Sequence, residues 1–349
     1  MRRVMQTLMV LAVLGAVAGG AVVGFGLFNV SARVGHLPGV SWVLHTTFRN
    51  SVRLRASRRD DMPDLADPSL IELGARHYDA ACRTCHGAPG ETPSATIAAM
   101  VPAPPMIATA VADWQPHELH WIVSNGVKMS GMPHWPATRD DDVWPVVAFL
   151  VSVQDGMPGD DYAALTDLPA PRAPGDYCLG CHGQGGSDHV PPLEQQSAAY
   201  LEMSLRAYLD GTRSSGIMAH AVSEVPAETL GGLAQWFADR PAEGGVLPDM
   251  PAERIAEGRA LAQAATGDRD VPACQACHGP DASETSELFP DLGRLPAPYL
   301  RTQLTLWRDG KRGGGPRADL MRKAAQHLSD SDIEALAAFY ATLPPQDGK

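Results

Sequence analysis

All six cysteines of this 349-residue chain fall in one local pattern. They read Cys82-Arg-Thr-Cys85-His86, Cys178-Leu-Gly-Cys181-His182 and Cys274-Gln-Ala-Cys277-His278, each followed by a glycine (Gly87, Gly183, Gly279). Spacing of i and i+3 puts two thiols on one side of a helical turn. There both reach the vinyl groups of one porphyrin, and the next residue offers an imidazole to the iron. This is the attachment signature of c-type haem. Other chemistries fit worse. A lone Cys-x-x-Cys serves as a redox pair or as half a zinc site. Zinc needs two such pairs, or one pair with two spaced histidines, and three pairs leave one over. A disulfide framework gives no reason for a histidine after every pair. The pattern therefore predicts three covalently bound haems, with His86, His182 and His278 as iron ligands.

A haem iron with a proximal histidine takes methionine as its second ligand when the site is built for electron transfer, which raises its potential. Downstream of Cys85 the segment Asn125-Gly-Val-Lys-Met-Ser-Gly-Met-Pro-His134 offers Met129 and Met132. Met132, between Gly131 and Pro133, has the extended-turn context that presents a sulfur, and Met129 remains the alternative. The second and third motifs support each other. Tyr200-Leu201, Leu205, Asp210-Gly211, Arg213 and Gly216 match Tyr299-Leu300, Leu304, Asp309-Gly310, Arg312 and Gly315 without a gap. Met218 then lies seven residues before Val225, and Met321 seven before Leu328. Met218 and Met321 are the expected ligands of these two irons.

Helices must carry these groups. Pro68–Ala80, Pro116–Ser124 and Asp141–Val153 have helical patterning around the first motif, and Ala252–Ala265 opens the third. Leu230, Leu233, Ala234 and Phe237, matched by Ile333, Leu336, Ala337 and Tyr340, follow an i, i+3, i+4, i+7 stripe. Ser329-x-x-Asp332 resembles a capping box at the start of the last helix. The chain therefore divides into haem modules at 66–156, 174–243 and 247–344. A linker at 157–173 includes the Pro-rich spacer Asp167–Pro174. The second module lacks a clear helix before Cys178, and Asp160–Leu165 is the expected substitute.

Val4 to Ser31 carries no charge and follows Arg2 and Arg3. The run exceeds the roughly 20 apolar residues that cross a bilayer, so 1–31 is expected to be a transmembrane anchor. Ala16-Val17-Ala18 also fits a signal-peptide cleavage site. A basic neck follows at 32–65, where Leu44, Phe48 and Val52 share a helical stripe flanked by Arg49 and Arg53. Such a helix rests on lipid headgroups or packs on the first module. Residues 1–60 hold eight Arg and one acid, whereas 61–349 hold 20 basic and 39 acidic side chains. The acidic balance argues against nucleic-acid binding.

Residues 66–153 resemble the class I cytochrome c domain. The resemblance rests on His77-Tyr78, Cys82–Gly87, Ala88-Pro89-Gly90, Trp121-Ile122 and the loop Gly126-Val-Lys-Met-Ser-Gly-Met-Pro-His-Trp135. Residues 174–344 are similar to the two halves of a cytochrome c4-type dihaem protein, with Pro192-Leu193, Gln196, Tyr200-Leu201 and Asp210-Gly211-x-Arg213 matched by the third-module set. Two places depart from the pattern: Glu194-Gln195-Gln196 stands where that family usually has Gly-Gln before its Tyr-Leu helix, and His134 precedes Trp135.

The resemblance implies an all-α fold, an N-terminal transmembrane helix followed by three small class I domains, with His/Met haems that pass electrons. Covalent attachment in c-type cytochromes takes place outside the cytoplasm. That places the modules in the periplasm behind a single-pass anchor in the inner membrane, although counting charges alone would orient the helix the other way. The resemblance implies electron transfer from a dehydrogenase or quinol-oxidising complex towards a terminal oxidase, as the cytochrome subunit of a dehydrogenase. The alternatives are an independent or oxidase-linked carrier and, against the three methionines, a haem peroxidase. Redox partners would be a dehydrogenase subunit, a terminal oxidase or a soluble cytochrome.

Overall fold

The computed structural model describes residues 1–57, 62–167, 173, 175–183, 186–242, 248–267, 269–279 and 286–344. Most of the expected spacer (168–172 and 174) and the module boundaries at 243 and 247 lie outside them. The described residues form helices joined by loops, with isolated two-residue bridges and no strand. The all-α expectation holds.

Helix α1, Arg2–Gly24, is apolar and exposed along its whole length. Its 23 residues span about 35 Å at about 1.5 Å each, against a hydrocarbon core of about 30 Å. Helix α2, Val40–Arg55, divides its duties. Val52 is buried, Phe48 stacks edge-on against Trp114 at 5.4 Å, and Arg49 pairs with Asp113 at 3.0 Å. Trp42, Val43 and Leu44 stay exposed. The C-terminal half of the neck helix thus packs on the first module, and Leu44 leaves the buried stripe.

The first module crosses α3 (Pro68–Ala81) over α5 (Trp144–Gln154), with α4 (Pro116–Asn125) between them in the chain. Asp67 accepts from the Ser69 amide to start α3, a cap worth about 1 kcal/mol. Helix α5 is apolar nearly all round, as a central helix must be, and buries Val146, Val147, Ala148 and Phe149. Gly74 makes the crossing possible, because a Cβ there would overlap the Pro145 carbonyl. Helix α6, Gly159–Thr166, lies inside the expected linker and belongs to this core. Its Tyr162 is buried against Tyr78 and Phe149 and donates to Asp79 at 2.7 Å. The expected substitute for a helix before Cys178 is thus part of the first module.

In the second module α7 (Asp176–His182) carries the motif itself, followed by α8 (Ala198–Leu209), α9 (Gly216–Ser223) and α10 (Leu230–Ala238). Its own core is small: Leu201, Leu233, Ala234 and Phe237. The third module repeats the crossing of the first. Helix α11 (Ala252–Gln263) lies over α14 (Asp330–Ala341), with α12 (Ala297–Arg308) and α13 (Ala318–Ala325) between. Gly258 does the work of Gly74, since a Cβ there would overlap the Ala335 carbonyl. Ser329 and Asp332 form the expected capping box.

Candidate haem sites

Cys82 ends α3, and the short helix Arg83–His86 presents Cys85 and His86. The Tyr78 hydroxyl donates to the Gly87 carbonyl at 2.5 Å, which fixes the chain leaving the motif. His86 Nδ1 lies 2.8 Å from the Pro105 carbonyl. The other motifs repeat this contact: His182 Nδ1 to Pro191 O at 2.7 Å, and His278 Nδ1 to Pro290 O at 3.0 Å. A carbonyl only accepts, so each Nδ1 carries the proton and each lone pair is on Nε2. That is the tautomer an iron ligand needs, and the carbonyl also fixes the ring's rotation. Burial lowers the pKa of His182 and His278, opposed by the carbonyl bonds, and so favours neutral rings. Burial pushes the thiol of Cys82 up to about 12 and those of Cys178 and Cys274 to about 11. Burial thus disfavours the thiolate forms, unlike the electropositive surroundings of a reactive redox pair. No three His, Cys, Asp or Glu side chains converge as a metal set among the described residues.

The methionine loop of the first module is pinned at several points. The Val127 amide donates to the Met132 carbonyl at 3.1 Å. Ser130 Oγ donates to Val127 O at 2.7 Å, and the Met132 amide donates to Ser130 Oγ at 3.2 Å. Gly126 and Gly131 have φ of +62° and +85°, the left-handed region that favours glycine. Met132 packs on the module core, whereas Met129 sits at the loop tip with 95% of its surface exposed. His134 is exposed, its Nδ1 2.7 Å from the Trp135 carbonyl.

The second and third sites open into one continuous cavity of about 870 Å³. Cys178, Cys181, His182 and Met218 line it in one module, and Cys274, Cys277, His278 and Met321 in the other. The modules interlock around it. Gln195 Nε2 donates to Gly293 O at 2.6 Å, Gln196 Nε2 to Asp291 O at 2.8 Å, and the Asp291 amide to Gln196 Oε1 at 3.1 Å. The departure from the family pattern at Glu194-Gln195-Gln196 thus supplies inter-module bonds.

Two buried guanidiniums, Arg213 and Arg312, face this cavity at 6% and 8% exposure. Arg213 stacks on Tyr208 and Arg312 on Trp307, each at 4.5 Å. Arg312 Nε donates to Gln303 Oε1 at 2.6 Å and its Nη2 to Tyr200 Oη at 3.3 Å. Burial raises the Tyr200 pKa, but both guanidiniums act against it and bring it down to about 8. No carboxylate among the described residues forms an ion pair with either arginine. Buried charge needs a counter-charge, and a haem supplies two propionates. The donor set therefore fits the group: thiols at the wall, neutral imidazoles, sulfurs opposite, and unmatched cations. Sequence reading quoted Arg213 and Arg312 as repeat positions without assigning them a role, and it missed the three proline carbonyls.

Comparison with known proteins agrees with this chemistry. Residues 69–150 match the family described as cytochrome c oxidase, cbb3-type, subunit III, and residues 255–344 match cytochrome c. A thiosulfate dehydrogenase electron acceptor of Thiomonas intermedia is 32% identical over 171 residues, 48% of this chain and 78% of the relative. A protein of the same description from Stutzerimonas stutzeri is 31% identical over 222 residues, 60% of this chain and 95% of the relative. Cytochrome c4 of Pseudomonas aeruginosa is 30% identical over 203 residues, 57% of this chain and 98% of the relative. The motifs, the neutral histidines and these relatives lead to one conclusion: the chain belongs to the cytochrome c family and is an electron-transfer cytochrome with covalently bound haem c.

Proposed function

We propose that the chain is a membrane-anchored, periplasmic trihaem cytochrome that takes electrons from a dehydrogenase and passes them towards a terminal oxidase. The observation that carries the reading is the threefold repeat of thiol pair, histidine oriented by a proline carbonyl, and downstream methionine. The iron pairs are His86 with Met132, His182 with Met218, and His278 with Met321. Haem supplies the one-electron chemistry of iron; the protein supplies ligation, burial and spacing. The exposure of Met129 favours Met132. Arg213 and Arg312 would offer buried positive charge to the carboxylates of the second and third haems and would stabilise the reduced state electrostatically. The shared cavity would take both of those haems, and the first module stands at the anchor end of the chain. Helix α1 serves as the single-pass anchor in the inner membrane, with the modules on its periplasmic side.

The donor class is a dehydrogenase, and the relatives named as electron acceptors make a thiosulfate-oxidising enzyme the first candidate. A second reading, an independent or oxidase-linked carrier, draws on the similarity to cytochrome c4. Mild detergent extraction of the native membrane, with mass spectrometry of proteins recovered at equal stoichiometry, separates the two. A dehydrogenase subunit supports the first reading. Oxidase subunits alone, or no partner, overturn it. Pyridine haemochrome assay should count three haems per chain, and two or one would remove a module from the relay.

A further inference from the structure

The first module reaches across its boundary and completes the second haem site. Asp142, 7% exposed, lies in the turn that leads into α5. Its Oδ2 accepts from Ser215 Oγ at 3.0 Å, from the Gly216 amide at 2.6 Å and from the Ile217 amide at 3.3 Å. These amides open α9, where helix donors lack partners of their own and the helix dipole favours a carboxylate. Asp142 Oδ1 takes Arg139 at 3.3 Å, so the carboxylate is held on both oxygens. Two contacts reinforce the clamp. Trp135 lies so close to Gly216 that a Cβ there would overlap the indole, and Ile217 packs on the first module's core. The next residue is Met218. On the opposite wall Arg76 of α3 donates to the carbonyl of Gly180, between the two thiols of the second motif, and to Leu165 O at 3.1 Å. Among the described residues the second module shows no opening helix of its own, and Arg76 of α3 reaches that wall.

We propose that Asp142 is a positioning residue for the second haem: by fixing the first turn of α9 it sets where the Met218 sulfur stands, and the first module is thereby a working part of a neighbouring redox site. This inference rests on the reading of Met218 as a ligand. It also makes the second haem the middle one of the three, joined to the first module by this clamp and to the third by the shared cavity.

The test uses the full-length holoprotein and two readouts, the methionine–iron(III) charge-transfer band and carbon monoxide binding by the reduced form. Met218→Ala should remove one of the three methionine signals. Asp142→Ala should weaken the same signal and tighten carbon monoxide binding at one haem about tenfold or more, since a charged cap on buried amides is lost. Asp142→Asn keeps an acceptor oxygen for the amides but loses the charge and the Arg139 contact, and should fall between the parent and Asp142→Ala. Gly216→Ala, which forces α9 off Trp135 without changing charge, should reproduce the Asp142→Ala signature and serves if that variant does not fold. Asp142→Ala combined with Met218→Ala should lose nothing beyond Met218→Ala alone. The inference is overturned if Asp142→Ala and Gly216→Ala keep all three signals while Met218→Ala loses one; the ligand assignment then survives. It is also overturned if the double variant loses a second signal. If Met218→Ala loses none, the ligand reading fails and the inference falls with it.

Discussion

Each motif histidine donates to a proline carbonyl, at 2.7–3.0 Å, from a proline 9 to 19 residues downstream. The motif itself is contiguous and was legible. The carbonyl is not, because its distance along the chain varies and backbone oxygens leave no trace in residue type. Met132, Met218 and Met321 are proposed as ligands on two sequence features: one sits in a recognisable loop, and two sit at matching repeat positions. Replacing any of them by alanine should open one haem to carbon monoxide, with one equivalent bound per variant chain. Arg213→Gln should lower the potential of the second or third haem by tens of millivolts, because a buried cation stabilises the reduced, less positive iron. Spectroelectrochemical titration reads this, and an unchanged or raised potential would contradict the role given to that guanidinium.

His77 provides the pH dependence. Burial, then the nearby His220, lowers its pKa to about 3, and its ring sits 5.0 Å from Trp135 and 5.7 Å from His220. An unfolded histidine titrates near 6.5, so the unfolded chain binds a proton that the folded chain refuses. The stability tied to His77 is whole above pH 6.5 and is lost as pH falls towards 3, with a slope of up to about 1.4 kcal/mol per pH unit. Urea melts between pH 7 and pH 4 should show this slope, roughly, and His77→Phe should flatten it.

At the scale of elements, the first and third modules solve one packing problem in the same way. An opening helix crosses a closing helix at a glycine, Gly74 over Pro145 and Gly258 over Ala335. Gly74→Ala and Gly258→Ala should each cost about 1–3 kcal/mol by overpacking, read by denaturant unfolding, with the haem spectrum of the other module unaffected at first. The helices were legible from their apolar stripes and caps, and their ends fell within a few residues of expectation. Helix α6 was misassigned for a physical reason. Its Asp-rich first turn reads as linker, and it is tied to the core by Tyr162, buried against Tyr78 and Phe149 and bonded to Asp79, and by Leu165, which packs there and accepts from Arg76. Helix α2 was half-legible: Phe48 and Val52 pack inward, but Leu44 on the same stripe has nothing beneath it.

Across the whole molecule, the order of modules followed from the repeats, but their docking did not. The bonds that join them run between residues 73 to 122 positions apart, such as Asp142 to Ser215 and Asp67 to His189, and a polar side chain alone does not announce its distant partner. Replacing residues 1–24 by a cleavable signal peptide, which keeps export, should move the protein from the membrane fraction to the soluble periplasm without changing its haem count, which fractionation and haem staining would show.

The docking of α2 has a mechanical consequence. Because Val52, Phe48 and Arg49 fasten its C-terminal half to the first module, the free leash between an anchored α1 and the body shrinks to residues 25–39. Fully stretched, such a segment reaches about 50 Å. In the proposed anchored form the redox body would sweep a shallow dome over the bilayer instead of roaming the periplasm, and would meet membrane-bound neighbours far more often than its bulk concentration suggests.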